Sequence, residues 1–166
     1  LSQNRRSLDQ PKLVVDLNLI AAKSSYFGFG GISLDPTETK LGVIFDTVGD
    51  RFYNLDIYDL RNLAQAPKRV LSEFSGEVAW DAKGDSLFYL HRDPTTHRHD
   101  ALRLLNLANG STQHLYKENN LEFDLGLTTL QGERWVTLTS TASESAEVRL
   151  LDRHHPSAAP LLLIER

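Results

Sequence analysis

The sequence predicts an all-β fold, a partial β-propeller of about three four-stranded antiparallel blades. Three observations predict it: a repeat of about 46 residues, four short apolar segments within each repeat, and turn-forming residues between them.

The repeat carries most of the weight. "ISLDPTETKLGVIFD" (32–46) lies over "VAWDAKGDSLFYLHR" (78–92), which places Ile32 on Val78, Leu34 on Trp80, Asp35 on Asp81, Leu41 on Leu87 and Val43 on Tyr89, an offset of 46. "LDIYDL" (55–60) lies over "LRLLNL" (102–107) at an offset of 47, and "VRLLDR" (148–153) follows after a further 46. A third copy begins near "LGLTTLQGERWVTLTS" (125–140), with Leu127 aligned 47 residues after Trp80. Three copies are expected at 29–73, 74–120 and 121–166, with residues 1–28 as an N-terminal linker and lead-in strand.

Each copy has the same internal order. "GGISLD", "EVAWD" or "DLGLT" supplies a short alternating segment. A turn follows, "DPTETK", "DAKGD" or "LQGER", rich in Asp, Gly and Pro, whose backbone preferences suit tight turns. "LGVIF", "LFYLH" or "WVTLT" is the second strand. The third alternates with period two through Leu55/Ile57, Leu102/Leu104 or Val148/Leu150. Asp59, Asn106 or Asp152 then starts another turn by accepting a backbone hydrogen bond, and "RVLSEF", "HLYKE" or "LLLIE" closes the copy. Helical spacing is sustained only weakly, in "LNLIAAK" (17–23). Second and third strands that are apolar on both faces belong to sheets sandwiched between neighbours. Propellers close with about four to eight blades, so three imply a portion of a ring or a ring shared with another copy.

Composition narrows the function. The 166 residues are 40% apolar and 24% charged, the balance of a globular chain with one core of ordinary size. A net charge of −4 argues against nucleic acid and anionic membrane as partners, and no apolar run approaches the roughly 20 residues that span a bilayer. With no cysteine, disulfide and thiolate chemistry are excluded. Methionine is absent even at position 1, which implies a processed start or a piece of a longer chain.

Four stretches carry a family resemblance. "DTVGDRFYNLDIYDL" (46–60), "VAWDAKGDSLFYLHRDPTT" (78–96), "EVRLLDRHHP" (147–156) and the lead-in "LVVDLNLIA" (13–21) resemble, in colinear order, the propeller of the oligopeptidase B group within the prolyl oligopeptidase family of serine peptidases. The resemblance implies a non-catalytic portion of a seven-bladed propeller that caps an α/β-hydrolase domain and admits only short, unfolded peptides. It implies that hydrolase domain and peptide substrates as partners, and a cytoplasmic location. The chain departs from the family in its second copy, where "THRHDALRL" (96–104) stands in place of aromatic residues before the third strand.

The catalytic half of such an enzyme is missing from these residues. No G-x-S-x-G nucleophile elbow occurs: Gly110-Ser111 runs into Thr112-Gln113, and Ser33 lies inside a predicted strand. No catalytic, cofactor-binding or metal residue, and no cofactor, is expected in these residues. One loop offers a zinc-like ligand set, because "HRDPTTHRHD" (91–100) holds His91, Asp93, His97, His99 and Asp100. Arg92 and Arg98 within it repel a cation, and Pro94-Thr95-Thr96 reads as an exposed turn, so a solvated loop is the expectation. His154-His155-Pro156 reads as a turn and Arg5-Arg6 as a solvated linker. "FGFGG" (27–31) has no following helix to bind phosphate, and its glycines fit close packing of an inner strand. Trp80 and Trp135 are expected in the core or between blades. Two alternatives to the peptidase reading stay open: a stand-alone interaction platform, with "IYD" (57–59) where WD-type repeats place Trp-Asp but no opening Gly-His, and a metal module at the histidine loop. Self-association through open blade faces is expected under any of them.

Overall fold

The computed structural model describes residues 13–130, 132 and 134–166, so Arg5-Arg6 lies outside it. Twelve strands form three four-stranded antiparallel sheets, each made of consecutive strands. Blade 1 holds β1 (Gly28–Leu34), β2 (Lys40–Asp46), β3 (Tyr53–Asp59) and β4 (Lys68–Phe74). Blade 2 holds β5 (Val78–Trp80), β6 (Ser86–Arg92), β7 (His99–Asn106) and β8 (Thr112–Lys117). Blade 3 holds β9 (Asp124–Thr129), β10 (Trp135–Thr141), β11 (Ala146–Asp152) and β12 (Leu161–Ile164). This is a partial propeller, and its sheets do not close into a ring.

Period-two alternation sorts the side chains of blade 2 between its neighbours. On β6, Leu87 and Tyr89 pack with Trp80, Leu105 and the blade 1 residues Ile44, Leu55 and Phe74. Phe88 and Leu90, on the other parity, pack with Leu102, Leu104 and the blade 3 residues Leu125, Val136, Leu138 and Leu151. Leu87, Phe88, Leu90 and Leu102 are wholly inaccessible. Each such side chain contributes about 1.5–3 kcal/mol relative to exposure, which explains why this sheet is apolar through its thickness.

The turn after the first strand is built on a buried aspartate. Asp35 accepts the N–H groups of Thr37 (3.3 Å), Thr39 (2.7 Å) and Lys40 (2.6 Å), and Asp81 accepts those of Asp85 (2.8 Å) and Ser86 (3.2 Å). Asp35 N–H closes on Lys40 O, Asp81 N–H on Ser86 O and Leu130 N–H on Trp135 O, so the three turns are equivalent. The third therefore lies 130 − 81 = 49 residues after the second. Thr129 stands where Trp80 stands in blade 2, which corrects the expected alignment of Leu127 with Trp80 by two residues. The third-strand turns form as expected, with Asp59 accepting from Arg61 N–H, Asn106 from Ala108 N–H and Asp152 from His154 N–H, each at 2.9 Å.

The lead-in differs from its expectation. Within the expected lead-in strand, the weak helical spacing of "LNLIAAK" becomes a single-turn helix, α1 (Leu17–Ala21), because the Asp16 side chain caps it by accepting Asn18 N–H at 2.9 Å. None of its residues is buried. It lies over the outer face of blade 1 across a cleft of about 460 Å3, with Leu19 and Ile20 on one wall and Phe45, Tyr58 and Arg69 on the other. The edge strands leave apolar side chains open on both outer faces: Ile32 and Leu34 on β1, and Leu161 and Ile164 on β12, are all exposed. No helix among the described residues is long and apolar enough to cross a membrane.

The glycines of "FGFGG" act in packing, as expected. A Cβ on Gly30 would stand 2.7 Å from Ile44 and 2.8 Å from Tyr53, so only glycine lets β1 approach β2 and β3 this closely. Trp80 is buried between blades 1 and 2 and donates Nε1–H to Ser33 Oγ at 2.9 Å. Trp135 instead is half-buried outside both core clusters, with Arg134 stacked 4.6 Å from its ring centre. Trp135 stands at the start of β10, where the second strand was expected, and its ring is covered by Arg134 instead of a neighbouring blade.

Candidate functional site

Antiparallel order puts the inter-blade links 75–77 and 118–123 on one rim of the blades, together with the β2–β3 and β6–β7 loops. The histidine loop lies on this rim, and the structure divides its residues among separate tasks. His91 Nδ1 pairs with Asp100 at 2.7 Å, and Lys117 Nζ pairs with the other oxygen of the same carboxylate. Burial of Asp100 raises its pKa, but the hydrogen bonds from His91 and Lys117 outweigh this and hold the group below its ordinary range. Asp93 accepts the N–H groups of Thr95 (2.9 Å) and Thr96 (2.7 Å) and so shapes its own turn. His99 turns toward blade 3, with its N–H on Asp124 (2.6 Å) and Nδ1 at 3.1 Å from Leu125 O. His97 tilts against Phe52, with ring centres 5.9 Å apart. Among the described residues, no three His, Cys, Asp or Glu side chains gather as a metal-ligand set. His155, in the other expected turn, leans on Asp152 at 3.2 Å.

Beside this loop an open cleft of about 310 Å3 is lined by Arg51, Tyr53, Ser75, Arg92, His97, His99 and Asp124. Arg92 spans it, donating Nη1–H to Arg51 O (2.7 Å) and Nε–H to His97 O (3.0 Å), and its guanidinium lies 5.1 Å from the centre of the Phe52 ring.

A second polar cluster, at the blade 2–blade 3 junction, has no counterpart in the sequence reading. Glu118 accepts from Ser140 Oγ (2.6 Å) and Asn120 N–H (2.9 Å), and Glu147 pairs with Arg149 (2.7 Å). Arg166 bridges both carboxylates, and Tyr116 Oη lies 3.3 Å from each. Burial raises the Glu118 pKa, but Ser140, the Asn120 N–H and Arg166 together hold it below the usual carboxylate range. Every group here is occupied by another, so the cluster is built to fasten rather than to react.

The opposite rim is fastened by ties between blades. Lys40 Nζ donates to Gly84 O, Ala82 N–H to Arg153 O and Arg153 Nε–H to Trp80 O, each at 2.9 Å. Trp80 to Ser33 completes the series. Buried aspartates shape the turns, aliphatic layers fill the spaces between sheets, and side-chain ties hold both rims.

Consecutive four-stranded sheets packed face to face in this way define a segment of a β-propeller. More narrowly, the chain belongs to the family described as prolyl oligopeptidase, N-terminal beta-propeller domain, whose model matches residues 2–166. It is similar to dipeptidyl aminopeptidase BI of Pseudoxanthomonas mexicana, 22% identical over 151 residues, which cover 90% of this chain and 20% of that protein. In structure it is similar to oligopeptidase B from Leishmania major, with a TM-score of 0.81 and 21% identity over 91% of this chain and 22% of that one. Oligopeptidase B from Trypanosoma brucei gives a TM-score of 0.78 and 19% identity, over 93% and 22%. The chain thus spans about a fifth of the length of these relatives.

Proposed function

We propose that this chain is a non-catalytic part of the propeller of an oligopeptidase B-like serine peptidase, and that it helps to cap a hydrolase domain and restrict its access to short peptides. The single observation that carries the reading is the family match across residues 2–166. Two others support it: three sheets in propeller order, and the lack of any G-x-S-x-G segment in the sequence. A cap that filters by size must resist spreading of its blades, and the ties on both rims fit that demand.

The test compares substrates of two sizes on the protein expressed from its full reading frame. A short peptide should be hydrolysed at the same rate by the natural protein and by a variant with loosened blades, Lys40→Ala with Trp80→Phe. A long unfolded polypeptide should be cleaved slowly by the natural protein and faster by the variant. Equal cleavage of both sizes by the natural protein would overturn the filtering role.

A further inference from the structure

We infer that the cleft between the β2–β3 and β6–β7 loops is a carboxylate-binding site. The two loops are built alike. Asp46 accepts the N–H groups of Val48 (2.8 Å), Gly49 (2.9 Å) and Arg51 (3.0 Å), as Asp93 accepts those of Thr95 and Thr96. Each loop then passes through a left-handed residue that is not glycine, Arg51 at φ 64° and His97 at φ 59°. Such conformations cost free energy and persist where the surroundings enforce them. Here the enforcing group is Arg92, which takes the carbonyl oxygens of both left-handed residues.

This arrangement leaves positive charge without an answer. Arg92 uses Nε and Nη1 on the two carbonyls, and its Nη2 has no hydrogen-bond partner among the described residues. Among those residues neither the Arg51 nor the Arg92 guanidinium pairs with a carboxylate. Asp124 is the one carboxylate in the lining, and it is turned to the His99 N–H. A planar guanidinium held by two carbonyls and a stacked ring keeps the N–H groups of Nη2 as fixed, charge-assisted donors, which a carboxylate oxygen accepts. At about 310 Å3 the cleft is at the small end of ligand sites, sized for a carboxylate and one or two attached residues. The site does not depend on the peptidase reading, because it would hold a carboxylate whether or not the assembled protein cleaves peptides.

The experiment uses ligand-observed saturation-transfer NMR on the protein from its full reading frame. N-acetyl-diglycine tests a free C-terminus, N-acetyl-glutamate α-amide tests an acidic side chain, and N-acetyl-diglycine amide and methyl phosphate, whose methyl protons report a phosphate group, are the controls. Natural protein is read against Arg51→Glu and Arg92→Gln, so binding at any other site subtracts out. At least one carboxylate probe should bind, its amide should not, and each substitution should weaken binding about tenfold or more, the factor set by one charge-assisted hydrogen bond. The carboxylate probe that binds more tightly identifies the source. Should Arg92→Gln fail to fold, Arg51→Glu decides alone. Equal binding of acid and amide, binding of phosphate without either carboxylate, or affinities unmoved by the folded variants would each overturn the assignment.

Discussion

Asp35 is 1% exposed at the end of β1. Burial raises its pKa, but the Thr37 hydroxyl, the backbone N–H groups of Lys40 and Thr39 and the Lys40 charge together lower it. A carboxyl whose folded pKa is depressed contributes stability that is full above its unfolded value of about 3.9 and is lost as pH falls through the folded pKa. Replacing Asp35 by Asn should therefore cost about 1–3 kcal/mol at pH 7, with the difference from the natural chain shrinking as pH falls below the ordinary carboxyl value of about 3.9, as read by urea unfolding at neutral and acid pH. Gly84 tests the same corner from the next blade. Its φ is +71° and a Cβ there would stand 2.5 Å from Asp35 Oδ2, so Gly84→Ala should destabilise by about 2 kcal/mol or more. The loss should be non-additive with Asp35→Asn in a double-mutant cycle. These turn aspartates were legible in the sequence because each acts on residues within five positions of itself. The Glu118, Glu147 and Arg166 cluster was not, because it forms only when separate strands of two blades meet.

The middle strands β2, β6 and β7 are buried on both faces, and substitutions in β6, whose Leu87, Phe88 and Leu90 are wholly inaccessible, should be the most damaging. Phe88→Ala should cost about 3–5 kcal/mol, the range for emptying a large core site, while Leu161→Ala on the open β12 should cost under about 1 kcal/mol. Chemical denaturation of the two variants side by side checks the contrast. The sequence pattern announced this difference, since β6 is apolar on both parities and β10 alternates Val and Leu with Thr. It misaligned the first strand of blade 3, setting Leu127 instead of Thr129 on Trp80, for a physical reason. A slip of two residues along an alternating strand returns every side chain to its own face, so hydrophobic pattern alone does not distinguish the two registers. The hydrogen bond that closes the turn does. The short helix α1 left only a weak trace, the helical spacing of "LNLIAAK", because a single turn capped by Asp16 carries little periodicity.

For the molecule as a whole, the chain alone should not hydrolyse peptides after Arg, Lys or Pro, for it carries no nucleophile elbow. Turnover of a dibasic fluorogenic substrate that survives purification, with labelling of this chain by a serine-directed phosphonate, would contradict that. The open outer faces lead to a second expectation. In repeat architectures stability resides largely in contacts between neighbours, and at about 25 cal/mol per Å2 a few hundred Å2 of uncovered apolar face forgoes several kcal/mol. The isolated chain should therefore self-associate at micromolar concentration. A sedimentation profile of well-folded monomer that binds no hydrophobic dye would count against it.

The fastening of blade 2 at both rims has a consequence for the order in which the molecule comes apart. Lys40, Trp80 and Arg153 tie one rim, while Arg92, Arg98 and the Glu118 cluster tie the other. The middle sheet is therefore a strut clamped along two sides, and the flanking sheets are panels clamped along one. Amide protons of β6 and β7 should outlast all others in deuterium exchange, those of β1 and β12 should go first, and a force applied to the ends should peel the panels while the strut stays whole.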